Sequence, residues 1–202
     1  MSSENIETRE RILASAWDLL MESGAAAVRM SDIARRTGIS RQAVYLHFRS
    51  RAELLIATTR YIDQVKDVDA RLAASRAAEQ GQERLDAYVE AWGNYIPEIH
   101  GVARALIDLQ STDDAARAAW TDRMDAVRHG CAAVVAALKR DGCLINDLSE
   151  KEATDLLWAL LSVENWELLR LRCGWSQSRY LSVTRQTARR SLVYQTEHRD
   201  LP

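Results

Sequence analysis

Ile33-Ala34-Arg35-Arg36-Thr37-Gly38-Ile39-Ser40-Arg41-Gln42-Ala43-Val44-Tyr45-Leu46-His47 is the stretch that decides how this chain folds. Ala34 is small enough to let two helices cross closely, and Gly38 accommodates a tight turn that requires φ > 0. Ile33, Ile39 and Val44 supply an apolar wedge that fixes a helix beginning near Ser40, its N-cap candidate, against the helix before it. The spacing predicts a helix-turn-helix whose second helix turns Arg41, Gln42, Ala43 and Tyr45 outward, where they can enter a major groove. Arginine and glutamine have donor geometries that match guanine and adenine edges, and an alanine methyl can meet a thymine methyl. His47, Arg51 and Arg29 lie at the flanks, where contacts to phosphate position a protein without specifying sequence. Tyr45 suits either role.

Working outward, the upstream segment predicts a helix from about Ile6 to Ser23, with Ile12, Ala16, Leu19 and Leu20 on one stripe and Gly24 as its stop signal. A short second helix covers about Met30 to Thr37. Ser50-Arg51-Ala52-Glu53 reads as a capping box for a fourth helix that carries Leu54, Thr58, Tyr61 and Val65. Residues 67–81 are too polar and alanine-rich to place. A fifth helix with Leu85, Tyr88, Val89, Trp92 and Ile96 is expected to break at Pro97, and a sixth follows from about Ile99 to Leu109. Trp120, Met124, Val127, Cys131, Val134 and Leu138 mark a regular seventh. A second capping box, Ser149-Glu150-Lys151-Glu152, opens an eighth helix that is apolar nearly all round from Leu156 to Val163. The ninth runs from about Ser178 to Gln195.

The expected fold is therefore all-α, with about nine helices. Residues 1–52 make a three-helix head that binds DNA, and residues 53–202 a larger helical-bundle body. The composition agrees: 47% of the 202 residues are hydrophobic, 28% are charged, and only two prolines and eight glycines occur. The net charge of −2 hides an asymmetry, because residues 29–51 carry six arginines against Asp32 alone, a balance of +5. That segment suits an anionic partner. A polar N-terminus and the lack of any long apolar run predict a cytoplasmic protein with no membrane partner. Cys131, Cys143 and Cys173 match neither a zinc site nor a disulfide framework, and His100 and His129 stand alone, so no metal or cofactor is expected. No nucleophile–base–acid set or phosphate loop supports an enzyme.

Arg11-Ile12-Leu13 with Ala16, Gly24, Asp32-Ile33-Ala34, Gly38-Ile39-Ser40, Tyr45-Leu46-His47-Phe48 and Leu54 resembles the tetracycline repressor (TetR) family over about the first 55 residues. The resemblance implies a DNA-binding head, a variable ligand-binding body and dimerisation through the last two helices. It also implies repression relieved by a small molecule. By position it assigns Arg41, Gln42, Ala43 and Tyr45 to the base-contacting surface and Tyr45 and His47 to phosphate. Two positions depart from the family pattern. Arg29 stands where a capping Ser or Thr is common, which points to Ser31 as the cap, and Arg51 replaces a lysine, keeping the charge but changing its geometry.

A reader this small contacts few base pairs, so two heads on one two-fold axis are expected to share a palindromic double-stranded operator. Dimer candidates are Trp158, Leu161, Ser162, Asn165 and Leu169 on the eighth helix and Leu181, Ala188 and Leu192 on the ninth. Tyr88, Trp92, Tyr95, Trp120 and Met124 are candidate walls of a pocket for a small-molecule effector. Glu164 interrupts an apolar row and needs a partner, either an arginine, a residue across the dimer, or a cationic ligand. The expected function is a repressor released from its operator by that effector. The alternatives are a DNA-binding adaptor whose body holds a protein partner and a small helical enzyme using the aromatic cavity.

Overall fold

The computed structural model describes residues 3–23 and 28–194, so the expected stop at Gly24 and the expected helix end at Gln195 lie outside the described residues. These residues form ten α-helices and no strand. They divide into two compact units. The first comprises the described residues up to Val68 together with Ile99–Asp125, and the second comprises Asp69–Glu98 together with those from Ala126 onward.

In the first unit, α1 (Ser3–Ser23) packs on α2 (Met30–Thr37) and on α4 (Arg51–Val65), and α2 packs on α3 (Arg41–His47). The apolar periodicity read from the sequence supplies part of its core: Ile12, Ala16 and Leu20 from α1 are buried with Ile33, Ala34, Val44, Leu54 and Thr58, whereas Leu13 replaces Leu19, and Leu55 and Ile62 replace Tyr61 and the exposed Val65, with Phe48 completing it. Ser50 caps α4 by accepting from the Glu53 N–H at 3.1 Å, while the Glu53 carboxylate accepts from the Arg49 N–H at 2.8 Å, so the expected box closes one residue early. Ser31 does not cap α2. It lies in the first turn, and the N-cap is Arg29, whose backbone oxygen accepts from the Asp32 and Ile33 N–H groups.

The second unit contains most of α5 (Val68–Ala77), the first part of α6 (Gly81–Leu109), the larger part of α7 (Asp114–Arg140), α8 (Glu150–Leu160), α9 (Val163–Glu167) and α10 (Gln177–Leu192). A π-helical stretch, Leu168–Arg172, continues α9. Ser149 and Glu152 form the expected reciprocal capping box on α8. Of the expected α7 stripe, Trp120, Val127, Cys131, Val134 and Leu138 are buried and Met124 is half-buried.

Three helix boundaries differ from expectation, each for a local reason. Asp67, with φ of 52°, takes a left-handed turn without glycine and separates α4 from α5. The eighth helix ends at Leu160 because Ser162 starts a new one, its hydroxyl accepting from the Asn165 N–H at 3.1 Å. The carbonyls freed there are taken up by side chains: Asn165 Nδ2 donates to Leu160 O at 2.8 Å and Trp92 Nε1 to Leu161 O at 2.8 Å. Pro97, finally, does not break α6. Proline has no N–H for the carbonyl four residues earlier, that of Gly93, and Gln177 supplies the missing donor, its Nε2 lying 2.9 Å from Gly93 O. Gln177 is held in turn by Trp166 Nε1 and Arg170 Nε, which donate to its Oε1 at 3.1 and 3.2 Å.

A double-mutant cycle tests that substitution of a side chain for a backbone donor. Gln177→Ala should cost about 1 to 2 kcal/mol in urea unfolding by orphaning Gly93 O. Pro97→Ala restores a backbone N–H there, so the same Gln177→Ala change should cost clearly less in the Pro97→Ala background. Equal costs in both backgrounds would contradict the pairing.

Candidate nucleic-acid interface

The geometry of α3 is set by four local contacts. Ser40 is extended and its Oγ accepts from the Ala43 N–H at 3.0 Å. Gly38 adopts a left-handed φ of 71°, and its N–H and that of Ile39 both return to Ala34 O, ending α2 and turning the chain. Arg11 Nη2 donates to Thr37 O at 2.8 Å, placing a cation at the C-terminal end of α2. Val44 and Phe48 are completely buried, which fixes the rotation of α3 about its axis.

That rotation leaves Arg41, Gln42 and Tyr45 exposed and Ala43 and His47 half-buried. The Arg41 guanidinium lies 5.6 Å from the centre of the Tyr45 ring, and its Nη2 is 3.4 Å from the Tyr45 hydroxyl, so the two side chains form one unit on the helix surface. Leu46, which received no role from the sequence, is 83% exposed on the same helix. The signal for it was available, since 100° per residue sets position 46 nearly opposite the wedge residue Val44.

The arginine-rich segment presents less charge than its composition implies. Arg35 pairs with Asp32, and Arg36 bonds both carboxylate oxygens of Glu22, at 2.7 Å each, from α2 to α1. Arg51 is drawn inward: Nε donates to Val28 O at 2.6 Å and Nη1 to the Asp113 carboxylate at 2.5 Å. Burial alone would raise the Asp113 carboxyl, but the Ala116 N–H, the Arg51 guanidinium and the Ala115 N–H together hold it below the usual carboxylate range. Arg29, Arg41, Arg49 and Ser40 remain exposed around α3.

Residues 12–58, from the middle of α1 into α4, match the family model of bacterial regulatory proteins, tetR family. Over these residues the chain carries a tetR-type DNA-binding head. An HTH-type transcriptional activator, FasR of Mycolicibacterium smegmatis, is 34% identical over 91 residues, 45% of this chain and 41% of that protein. The HTH-type transcriptional regulator CymR of Pseudomonas putida is 28% identical over 160 residues, 78% of this chain and 75% of that one. The chain thus spans about two-fifths of the length of one curated relative and three-quarters of the other. Among solved structures, a transcriptional regulator from Saccharomonospora viridis in complex with choline superposes with a TM-score of 0.72 at 23% identity, covering 94% of this chain and all of that one. NalD of Pseudomonas aeruginosa, the secondary repressor of an efflux pump, gives 0.68 at 23%, covering 96% and 100%. These two likenesses establish the fold.

The candidate pocket residues divide between the two units. Trp120 and Met124 belong to the first unit, and Tyr88, Trp92, Tyr95 and Glu164 to the second. Trp92 and Tyr95 meet edge to face at 5.7 Å between centroids. Tyr88 is buried and donates to Val127 O at 2.9 Å, with its ring tip filling the space that a side chain at Gly130 would take. Glu164 is exposed in the first turn of α9, where a carboxylate favours the positive end of the helix. A groove of about 680 Å³ opens within the first unit, between α1 and α4, lined by Arg9, Leu13, Ile56, Arg60 and Tyr61 among others.

The candidate dimer residues also divide. Leu161, Ala188 and Leu192 are buried within the single chain, and Ser162 and Asn165 serve the break between α8 and α9. Trp158, Leu169 and Leu181 are half-exposed, and Leu168 and Leu171, 50% and 58% exposed, project from the π-helical stretch.

The depressed Asp113 carboxyl makes a pH prediction. A carboxyl lowered by folding contributes stability that is present above its unfolded value, about pH 4, and is lost as pH falls through the lower folded value. Asp113→Asn should therefore destabilise the protein by on the order of 1 kcal/mol at pH 7, and the gap to wild type should close as acid is added. A gap independent of pH in thermal melts would show that Asp113 acts without its charge.

Proposed function

We propose that this chain is a homodimeric transcriptional regulator that binds a palindromic operator through α3 and is released from it by a small molecule held in its C-terminal region. One observation carries the reading. A short helix is anchored by Val44 and Phe48, so that Arg41, Gln42 and Tyr45 stand outward together. Arg41 and Gln42 supply the donors that distinguish guanine and adenine, and Arg29 and Arg49 supply flanking charge for phosphate. Arg51, committed to Asp113 and Val28, supports the corner from behind.

The dimer part of the reading rests on Leu168 and Leu171, both exposed within one turn of the π-helical stretch, with the half-exposed Leu169 between them. An apolar pair this exposed fits a covered surface, and a two-fold partner would set two heads about one helical turn, ~34 Å, apart on the duplex. Repression relieved by a ligand follows the tetR pattern, and NalD is itself named a repressor. A ligand that favours the non-binding arrangement by ~3 kcal/mol would weaken operator affinity more than a hundredfold. The choline complex of the Saccharomonospora viridis protein supports a small organic molecule as the class of effector.

Selection of bound sequences from a random duplex pool tests the proposal, and a two-fold symmetric product is expected. Against that product, Arg41→Ala or Gln42→Ala should erase about 1 to 3 kcal/mol of discrimination at one position of each half-site. An unchanged base preference would remove the residue from the reading surface. Leu171→Glu should shift the light-scattering mass toward that of a monomer and weaken operator binding, and a mass that stays dimeric would place the interface elsewhere.

A further inference from the structure

Leu46 has no work inside the chain. At 83% exposure it is the wettest large apolar side chain among those exposed in the described residues, well above Leu171 at 58%. Its position on α3 explains why. With Val44 pointing into the head, 100° per residue puts the opposite direction midway between Gln42 and Leu46, which lie four apart on one ridge. Arg41 and Tyr45, bound to each other, flank that ridge on one side, and the half-buried Ala43 and His47 flank it on the other. The part of α3 that projects furthest is therefore one amide side chain and one leucine.

We propose that Leu46 is a specificity-determining residue that reads the 5-methyl group of a thymine. This rests on the operator-binding reading and sharpens it. Exposed positive charge at Arg29, Arg41 and Arg49 directs this surface to a polyanion, and the base edges of a duplex major groove offer one apolar group, the thymine methyl. Gln42 and Leu46 are separated by about 6 Å along the helix axis, on the order of two base-pair steps. The half-site should accordingly place a thymine within about two base pairs of the adenine that suits Gln42. Methyl contact and amide pairing together make the ridge a reader of A·T pairs, with the guanidinium of the Arg41–Tyr45 unit beside it for guanine.

The test removes only the methyl group. In the duplex obtained by selection, each thymine is replaced in turn, in both half-sites together, by deoxyuridine, which keeps every hydrogen-bonding group. Wild-type protein should lose about fourfold in affinity per methyl, hence over tenfold for the symmetric pair, at one position and little at the others. Leu46→Ala, a surface change that should leave the melting temperature unaltered, should bind the thymine and deoxyuridine duplexes equally. Tolerance of deoxyuridine at every position, a selected half-site without thymine, or an equal penalty in Leu46→Ala would overturn the role given to Leu46 while leaving operator binding intact. Failure to bind any duplex at low ionic strength would instead overturn the operator reading, and this inference with it. Capture of a protein by the α3 face, unaffected by duplex competitor, would assign Leu46 to a protein contact and overturn it as well.

Discussion

The burial of Val44 and Phe48 governs the rest of the head. Seven residues are too few for a helix to hold its own shape in water, since isolated helices shorter than about 12 residues are marginal. α3 exists because Ser40 satisfies one of its first N–H groups and because two apolar side chains at its inner edge are fully removed from solvent. The same two anchors fix which side chains face outward. Loss of either would leave Arg41, Gln42 and Leu46 chemically intact but without a defined direction, and recognition of base edges depends on direction more than on charge.

Electrostatics act mostly as scaffolding. Arg36 ties α2 to α1 through Glu22, Arg11 closes the end of α2, and Arg51 joins the start of α4 to Asp113 and to the segment before α2. Arg36 and Arg51 belong to the arginine-rich segment that composition offers to DNA, yet they bind carboxylates and a carbonyl of the chain itself. The outward charge is smaller and sits closer to α3, at Arg29, Arg41 and Arg49. A planar fork at position 51 suits this internal role, since it serves a carbonyl and a carboxylate at once where lysine presents a single point charge.

The head was legible because each of its signals is local: Gly38, Ser40 and Val44 act within ten residues of one another. The capping box at Ser149 and the stripe on α7 were legible for the same reason. What could not be read depended on partners distant in sequence. Pro97 signals a break, and only Gln177, eighty residues later, makes the uninterrupted α6 possible. The row Leu156 to Val163 looks like one helix, and the indole of Trp92 helps to cover its interruption. Asp67 makes a left-handed turn with no glycine to announce it. For the dimer face, periodicity grouped Leu161, Ala188 and Leu192 with exposed neighbours, but a helix apolar on two sides does not declare which side meets its own core. Leu46 carries no charge or hydrogen-bonding group to mark it, and its outward direction follows from its place two residues after the buried Val44.

Operator recognition requires α3 to meet duplex DNA with its outer ridge. Backbone amide shifts of the isotopically labelled protein, recorded while it is titrated with its selected duplex, test this most directly. The largest changes should fall on residues 40–47, with smaller ones near Arg29 and Arg49. If α3 amides stay fixed while those lining the α1–α4 groove or those of the second unit move instead, the helix assigned to the operator is not the one that binds it.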